Sequence, residues 1–156
     1  MRVSRRSTLI VLVAAGIALF LIISALLARA FSVDGAERSA ITAVVQAEAR
    51  GDAAAVIARL SGCGSTPACR ARATDVARRL RHPGTVDIIQ IQSSSGFSLT
   101  GTLGTARVAW NVGGSLPIVQ CVRVRHAGNV LSGLRVELLA LSERLHPSSS
   151  PCPARF

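Results

Sequence analysis

CRARATDVARRLRHPGTVDIIQIQ, Cys69–Gln92, contains the point at which the chain changes its periodicity. Up to Leu80 the apolar residues Cys69, Ala73, Val76, Ala77 and Leu80 recur at i, i+4, i+7, i+8 and i+11, the spacing of one side of a helix. Arg70, Arg72, Arg78, Arg79 and Arg81 fall on the other side, and the last three sit where a helix C-terminus favours cations. A solvated face accounts for them. Beyond His82-Pro83-Gly84 the period drops to two. VDIIQIQ (86–92), TARVAWNV (105–112), PIVQCVRVRH (117–126) and VLSGLRVELLAL (130–141) are β-branched runs separated by Ser, Gly and Asn, which predicts an antiparallel meander. A short additional strand is expected around Phe97 to Leu99.

Upstream of this junction the helical period continues. Thr66-Pro67 reads as an N-cap followed by the first helical residue. Asp52 is placed to cap a helix whose stripe is Val56, Ile57 and Leu60, and Ser61-Gly62 ends it. Before that, Glu37 to Arg50 carries Ile41, Val44 and Val45 at helical spacing and stops at Gly51. Strand parity then separates two faces. Val108, Trp110 and Val112, then Ile118, Val122 and Val124, then Leu134, Val136 and Leu138 are expected to cover the helices. The opposite parity holds Arg107, Asn111, Cys121, Arg123, Arg125, Arg135 and Glu137. The expected fold is α+β: an N-terminal transmembrane helix, then about three helices packed on a curved antiparallel sheet of four to five strands.

Thr8–Leu27 is a run of 20 residues without a charge, long enough as a helix to span about 30 Å at ~1.5 Å per residue. A secretory apolar core is usually only about 7–15 residues, so retention is favoured. The resulting organisation is a basic cytoplasmic end at 1–7, a membrane anchor at 8–30, a linker at 31–36, a folded domain at 37–145 and a Pro/Ser-rich tail at 146–156. Arg2, Arg5 and Arg6 predict a cytoplasmic N-terminus and an exported remainder. Ala28-Arg29-Ala30 also fits a cleavage site before Phe31, so the alternative is a secreted product. All 18 basic residues are arginine, and from Phe31 onward 14 of them face 8 acids, a net charge of +6. Without lysine clusters or interleaved aromatics, nucleic-acid binding is not expected.

Cys63, Cys69, Cys121 and Cys152 are even in number and all on the expected exported side, which favours disulfides over a metal site. Three connectivities are open; the local pair Cys63 with Cys69 is favoured, leaving Cys121 with Cys152, which would fold the tail back across the sheet. Phosphate loops, nucleophile elbows and zinc motifs are absent from the sequence, so no cofactor, metal or catalytic residue is assigned. Asp87 and His126 are the sheet-borne groups suited to acid/base work, although strand-edge and turn roles explain them as well. Arg107, Arg123, Arg125 and Arg135 form a candidate anion-facing set, with Glu137 expected near one of the arginines of β-run 117–126. Trp110, Val122 and Val136 are candidate lining for a pocket between sheet and helices.

The order of helices and strands over residues 37–142, with T-A-V-V-Q at Thr42–Gln46 and R-G-D-A-A-A-V at Arg50–Val56, resembles the nuclear-transport-factor-like, cystatin-like fold. More narrowly, CRARATDVARRLRHPG and VQCVRVRHAGNVLSGLRVELLALS are similar to small uncharacterised actinobacterial proteins with one N-terminal membrane segment and paired exported cysteines. The resemblance implies a compartment more than an activity, and it transfers no functional residue. The expected function is that of a non-enzymatic membrane-anchored domain for protein interaction or envelope assembly, with an unidentified protein partner. The alternative is a module holding an apolar small molecule or lipid.

Overall fold

The computed structural model describes residues 5–93, 100–129, 133–146, 151–153 and 156. The chain divides into two compact units, Met1–Val33 and Asp34–Phe156. In the first, Thr8–Ala28 is a helical stretch long and apolar enough to cross a membrane. None of its side chains is buried, and large apolar ones such as Leu9, Leu19 and Phe20 are exposed.

Helix α1 (Arg5–Arg50) contributes its C-terminal residues to the second unit. The expected linker at 31–36 is helical. A single Gly35 there costs a helix only about 1 kcal/mol, and no proline interrupts it. Asp34, within this stretch, makes an i,i+4 ion pair with Arg38 at 3.1 Å. α1 stops where the sequence indicates, because Gly51 adopts φ +73°. The Gly51 N–H donates to Glu48 O (2.8 Å) and the Asp52 N–H to Ala47 O (2.9 Å), the paired closure of a Schellman end. Asp52 then caps α2 (Ala53–Arg59), accepting from the Ala55 N–H at 2.9 Å. A 3-10 turn at Cys63–Ser65 leads into α3 (Pro67–Arg79), with Pro67 in its first turn. Thr66 stands at the cap position, but its hydroxyl donates to Gly62 O instead.

The sheet is a meander in the order β1 (Val86–Gln92), β2 (Thr100–Val112), β3 (Ile118–Asn129), β4 (Gly133–Leu141), all neighbours antiparallel. It has four strands among the described residues and is only weakly curled. The expected extra strand at Phe97–Leu99 lies outside the described residues. The register shifts in all three strand pairs, in β2–β3 between Thr100 and Thr102 and in the other two at bulges that reset which side chains face the core. In β1 the register slips between Ile88 and Gln90, turning Ile89 out to solvent and Ile91 in to the core. In the β3–β4 pair it slips between Arg123 and Val124, so Leu138 and Leu141 both face inward. Each bulge places one extra residue on its strand and shifts later side chains to the other face.

The core lies between the inner sheet face and the helices. Ile41, Val44, Val45, Val56, Ala73, Val76 and Ala77 come from the helices; Val108, Trp110, Ile118, Val122, Val124 and Leu138 come from the sheet. One backbone link fastens helices to sheet and another fastens α1 to the stretch after α3. The Ser61 N–H donates to Leu138 O (2.7 Å), beside a parallel bridge between Leu60 and Leu138, and the His82 N–H donates to Ala49 O (2.9 Å). After β4 the chain runs back along β3, the N–H of Ser142 donating to Cys121 O (2.8 Å) and that of Leu145 to Val119 O (2.7 Å).

Candidate functional site

The helix-facing parity of β3 carries two polar side chains among its aliphatics, Gln120 and His126, and each meets a glutamate of α1. Glu37 and Glu48 are eleven residues apart, three helical turns, and share one stripe with Ile41, Val44 and Val45. Both are buried. His126 Nε2 lies 2.8 Å from Glu37 Oε2, with the two side chains 12% and 2% exposed. A carboxylate in that position fixes the tautomer and orientation of an imidazole, as in a general acid/base pair. No cluster of metal-binding side chains occurs among the described residues.

Gln120 is the hub of a second, drier cluster. Its Oε1 accepts from Trp110 Nε1 at 2.8 Å, and its Nε2 donates to Ser142 O at 3.2 Å and to Glu48 Oε1 at 3.4 Å. Glu48 Oε2 is buried with no hydrogen-bond partner among the described residues. Burial raises the Glu48 pKa from 4.5 to about 8, and the bond from Gln120 opposes the shift only partly. At neutral pH the carboxyl is therefore mainly a neutral acid, the form that a low-dielectric interior tolerates.

The outer face is organised differently. Both expected disulfides are present, Cys63 with Cys69 and Cys121 with Cys152, with Cα–Cα separations of 5.2 and 5.9 Å. The second carries the tail back to β3, and Cys121 is fully buried although its parity points away from the helices. Phe156 lies over the Arg123 guanidinium, 4.9 Å from it to the ring centroid. Arg125 pairs with Glu137, donating from Nε at 2.9 Å. Arg107 sits apart, with Gln90, Gln92, Ala109 and Val119 around a shallow groove of about 290 Å³, and Arg135 is exposed on β4. The four arginines thus share a face without converging on one point.

Asp87 is exposed and in register with Asn111, whereas His126 is in register with Thr102. At ~3.4 Å per residue these β2 positions lie about 30 Å apart along the strand, so Asp87 and His126 do not form one site. The expected pocket lining is also divided. Trp110 and Val122 are 0% exposed, which leaves no water-sized space beside either side chain. They are core. Val136 lines a groove of about 300 Å³ with Ala40, Ala43, Ala58, Arg59, Ser61, Glu137 and Leu138.

The residues missed by strand parity and cysteine counting are Glu37, Glu48 and Gln120. Their signal was present in the spacing: 37, 41, 44, 45 and 48 form one i, i+4, i+7, i+8, i+11 stripe, and Gln120 shares the parity of Val122. A stripe is usually read by its apolar members, here Ile41, Val44 and Val45, which leaves the two acids on it without a role. Comparison with family models, curated proteins and solved structures finds no match to this chain.

Proposed function

We propose that this chain is a non-enzymatic, single-pass membrane protein that presents a disulfide-bonded α+β domain outside the cytoplasmic membrane for contact with a protein partner. The observation that carries this reading is the conjunction of the apolar Thr8–Ala28 helix with four cysteines all in disulfides. Such bonds persist in oxidising compartments, and the basic residues Arg2, Arg5 and Arg6 support a cytoplasmic N-terminus. The length of the apolar run supports an uncleaved anchor over a removable signal.

The contact role is supported by where the polar groups lie. The one imidazole–carboxylate pair among the described ion pairs joins α1 to β3, while the solvent side is a display of arginines. The test is in-membrane crosslinking of the tagged full-length chain, with recovery of adducts and mapping of the N-terminus. A reproducible adduct with one partner, on a chain that retains Thr8, is expected. Repeated recovery of the chain alone, or of a product beginning at Phe31, overturns the interaction or the anchoring part respectively.

A further inference from the structure

Glu48 takes no part in the proposed contact role, and its carboxyl is poorly provided with partners. Its carboxyl is completely buried, one oxygen has no partner among the described residues, and the other receives a single long bond of 3.4 Å. The same Gln120 amide that supplies this bond also holds the carbonyl of Ser142. Ser142 begins the irregular stretch 142–146, fastened to β3 at the Cys121 and Val119 carbonyls and by the Cys121 N–H donating to Ser142 Oγ at 2.8 Å.

We propose that Glu48 and Gln120 form an alkaline-opening latch, in which ionisation of the Glu48 carboxyl releases the 142–146 segment from β3. A carboxylate at this position lacks the two or three donors that make a buried charge tolerable, so its ionisation requires water. Of the layers around Glu48, α1, β2 and β3 belong to continuous hydrogen-bonded elements. Two irregular segments lie nearby: 81–85, bonded to α1 by the His82 N–H, and 142–146, which shares the Gln120 amide with Glu48 and is held to β3 by a few bonds. The 142–146 segment therefore yields first, by the same logic that places local opening at weakly bonded segments. The Cys121–Cys152 disulfide keeps the released stretch tethered, so closure remains intramolecular.

The charged and titratable neighbours do not supply an alternative trigger. Arg81 packs against Gly51 and His82 bonds Ala49 O; Glu143 and Arg144 follow Ser142; Glu37 lies three turns away with His126. β2 and β3 present the neutral Trp110 and Gln120. Burial is what raises the Glu48 pKa, without a contribution from any of these charges. Opening would also remodel the 480 Å³ groove that Arg79, His82 and Leu80 share with Glu143, Arg144 and His146.

Trp110 is the only tryptophan in the chain and belongs to the latch, so it reports the event directly. Acrylamide quenching of the full-length protein in detergent micelles, titrated from about pH 7 to about pH 9.5, is expected to rise severalfold with a midpoint near 8. Far-UV circular dichroism is expected to stay constant over that range. In Glu48→Gln, quenching should remain at its low-pH value. A flat wild-type titration, an equal rise in Glu48→Gln, or loss of helix and sheet signal at the same midpoint overturns the latch. Hydrogen exchange on the wild type supplies a reading independent of the variant. Residues 142–146 should lose protection about tenfold more than the inward residues of β2 across the transition, and equal loss refutes the proposal.

Discussion

On its helix-facing side β3 presents Ile118, Gln120, Val122, Val124 and His126; on the other it presents Val119, Cys121, Arg123 and Arg125. The inner residues are held by exclusion of water, and both polar ones are committed to specific partners on α1. The outer residues are held by a covalent staple, a ring over a guanidinium and an exposed ion pair. The difference separates two kinds of stabilisation on a single strand. Inside, removing one atom leaves a void or an orphaned polar group; outside, water substitutes for most of what is removed.

The sharpest way to break this contrast is Trp110→Ala. It removes the largest fully buried side chain and the donor to Gln120, and a loss of about 3–5 kcal/mol is expected in urea denaturation of the full-length chain followed by circular dichroism. A loss below about 1 kcal/mol would mean that the inner face is loosely packed. On the outer side, Cys121→Ser opens a loop between cysteines 31 residues apart and should cost about 3–4 kcal/mol by chain entropy. That is the one outer substitution expected to rival the core, and it should also render the tail protease-sensitive. If the tail is as resistant as before, the staple does not hold it.

Glu48 sharpens the comparison through pH. Its folded pKa lies above its unfolded value, so the native state retains a proton that the unfolded chain gives up. The stability this provides is complete below about pH 4.5 and is lost as pH rises through about 8, with a slope of at most about 1.4 kcal/mol per unit. Denaturation midpoints should decline across that window in the wild type, and the Glu48 contribution to the decline should vanish in Glu48→Gln. Arg125→Ala is the smallest effect. Its guanidinium is about half exposed and pairs with Glu137 at the surface, so less than about 1 kcal/mol is expected, falling further in high salt. A loss comparable to that of Trp110→Ala would erase the distinction between the faces.

The fold was largely legible because two periods carry it. The 3.6-residue stripe of α3 and the alternation after Gly84 follow from which side of each element meets the core, and sheet order follows from short connections. Asp52, Gly51 and Pro67 marked helix ends through backbone chemistry that acts locally. What escaped was set by tertiary context. A bulge at Ile89 leaves no mark in V-D-I-I-Q-I-Q, since isoleucine suits either face of a strand. Trp110 and Val122 are placed on the inner face by parity, but whether that face encloses a pocket or closes into a core depends on how tightly the helices pack. The buried acids escaped for a related reason. A glutamate on an apolar stripe becomes interpretable only when its opposing residue, seventy-two positions away in Gln120, is known.

The orientation of the Gln120 amide restricts what sequence drift can do here. An indole N–H only donates, so the amide oxygen must face Trp110 and the NH₂ must face Glu48 and Ser142. Leucine at 120 would leave the indole donor unsatisfied, and glutamate there would set two acids against each other. Positions 48, 110 and 120 should therefore change together in relatives of this chain. A lineage that replaces the tryptophan with phenylalanine would orphan the buried Gln120 carbonyl oxygen, so the residue at 120 should change with it.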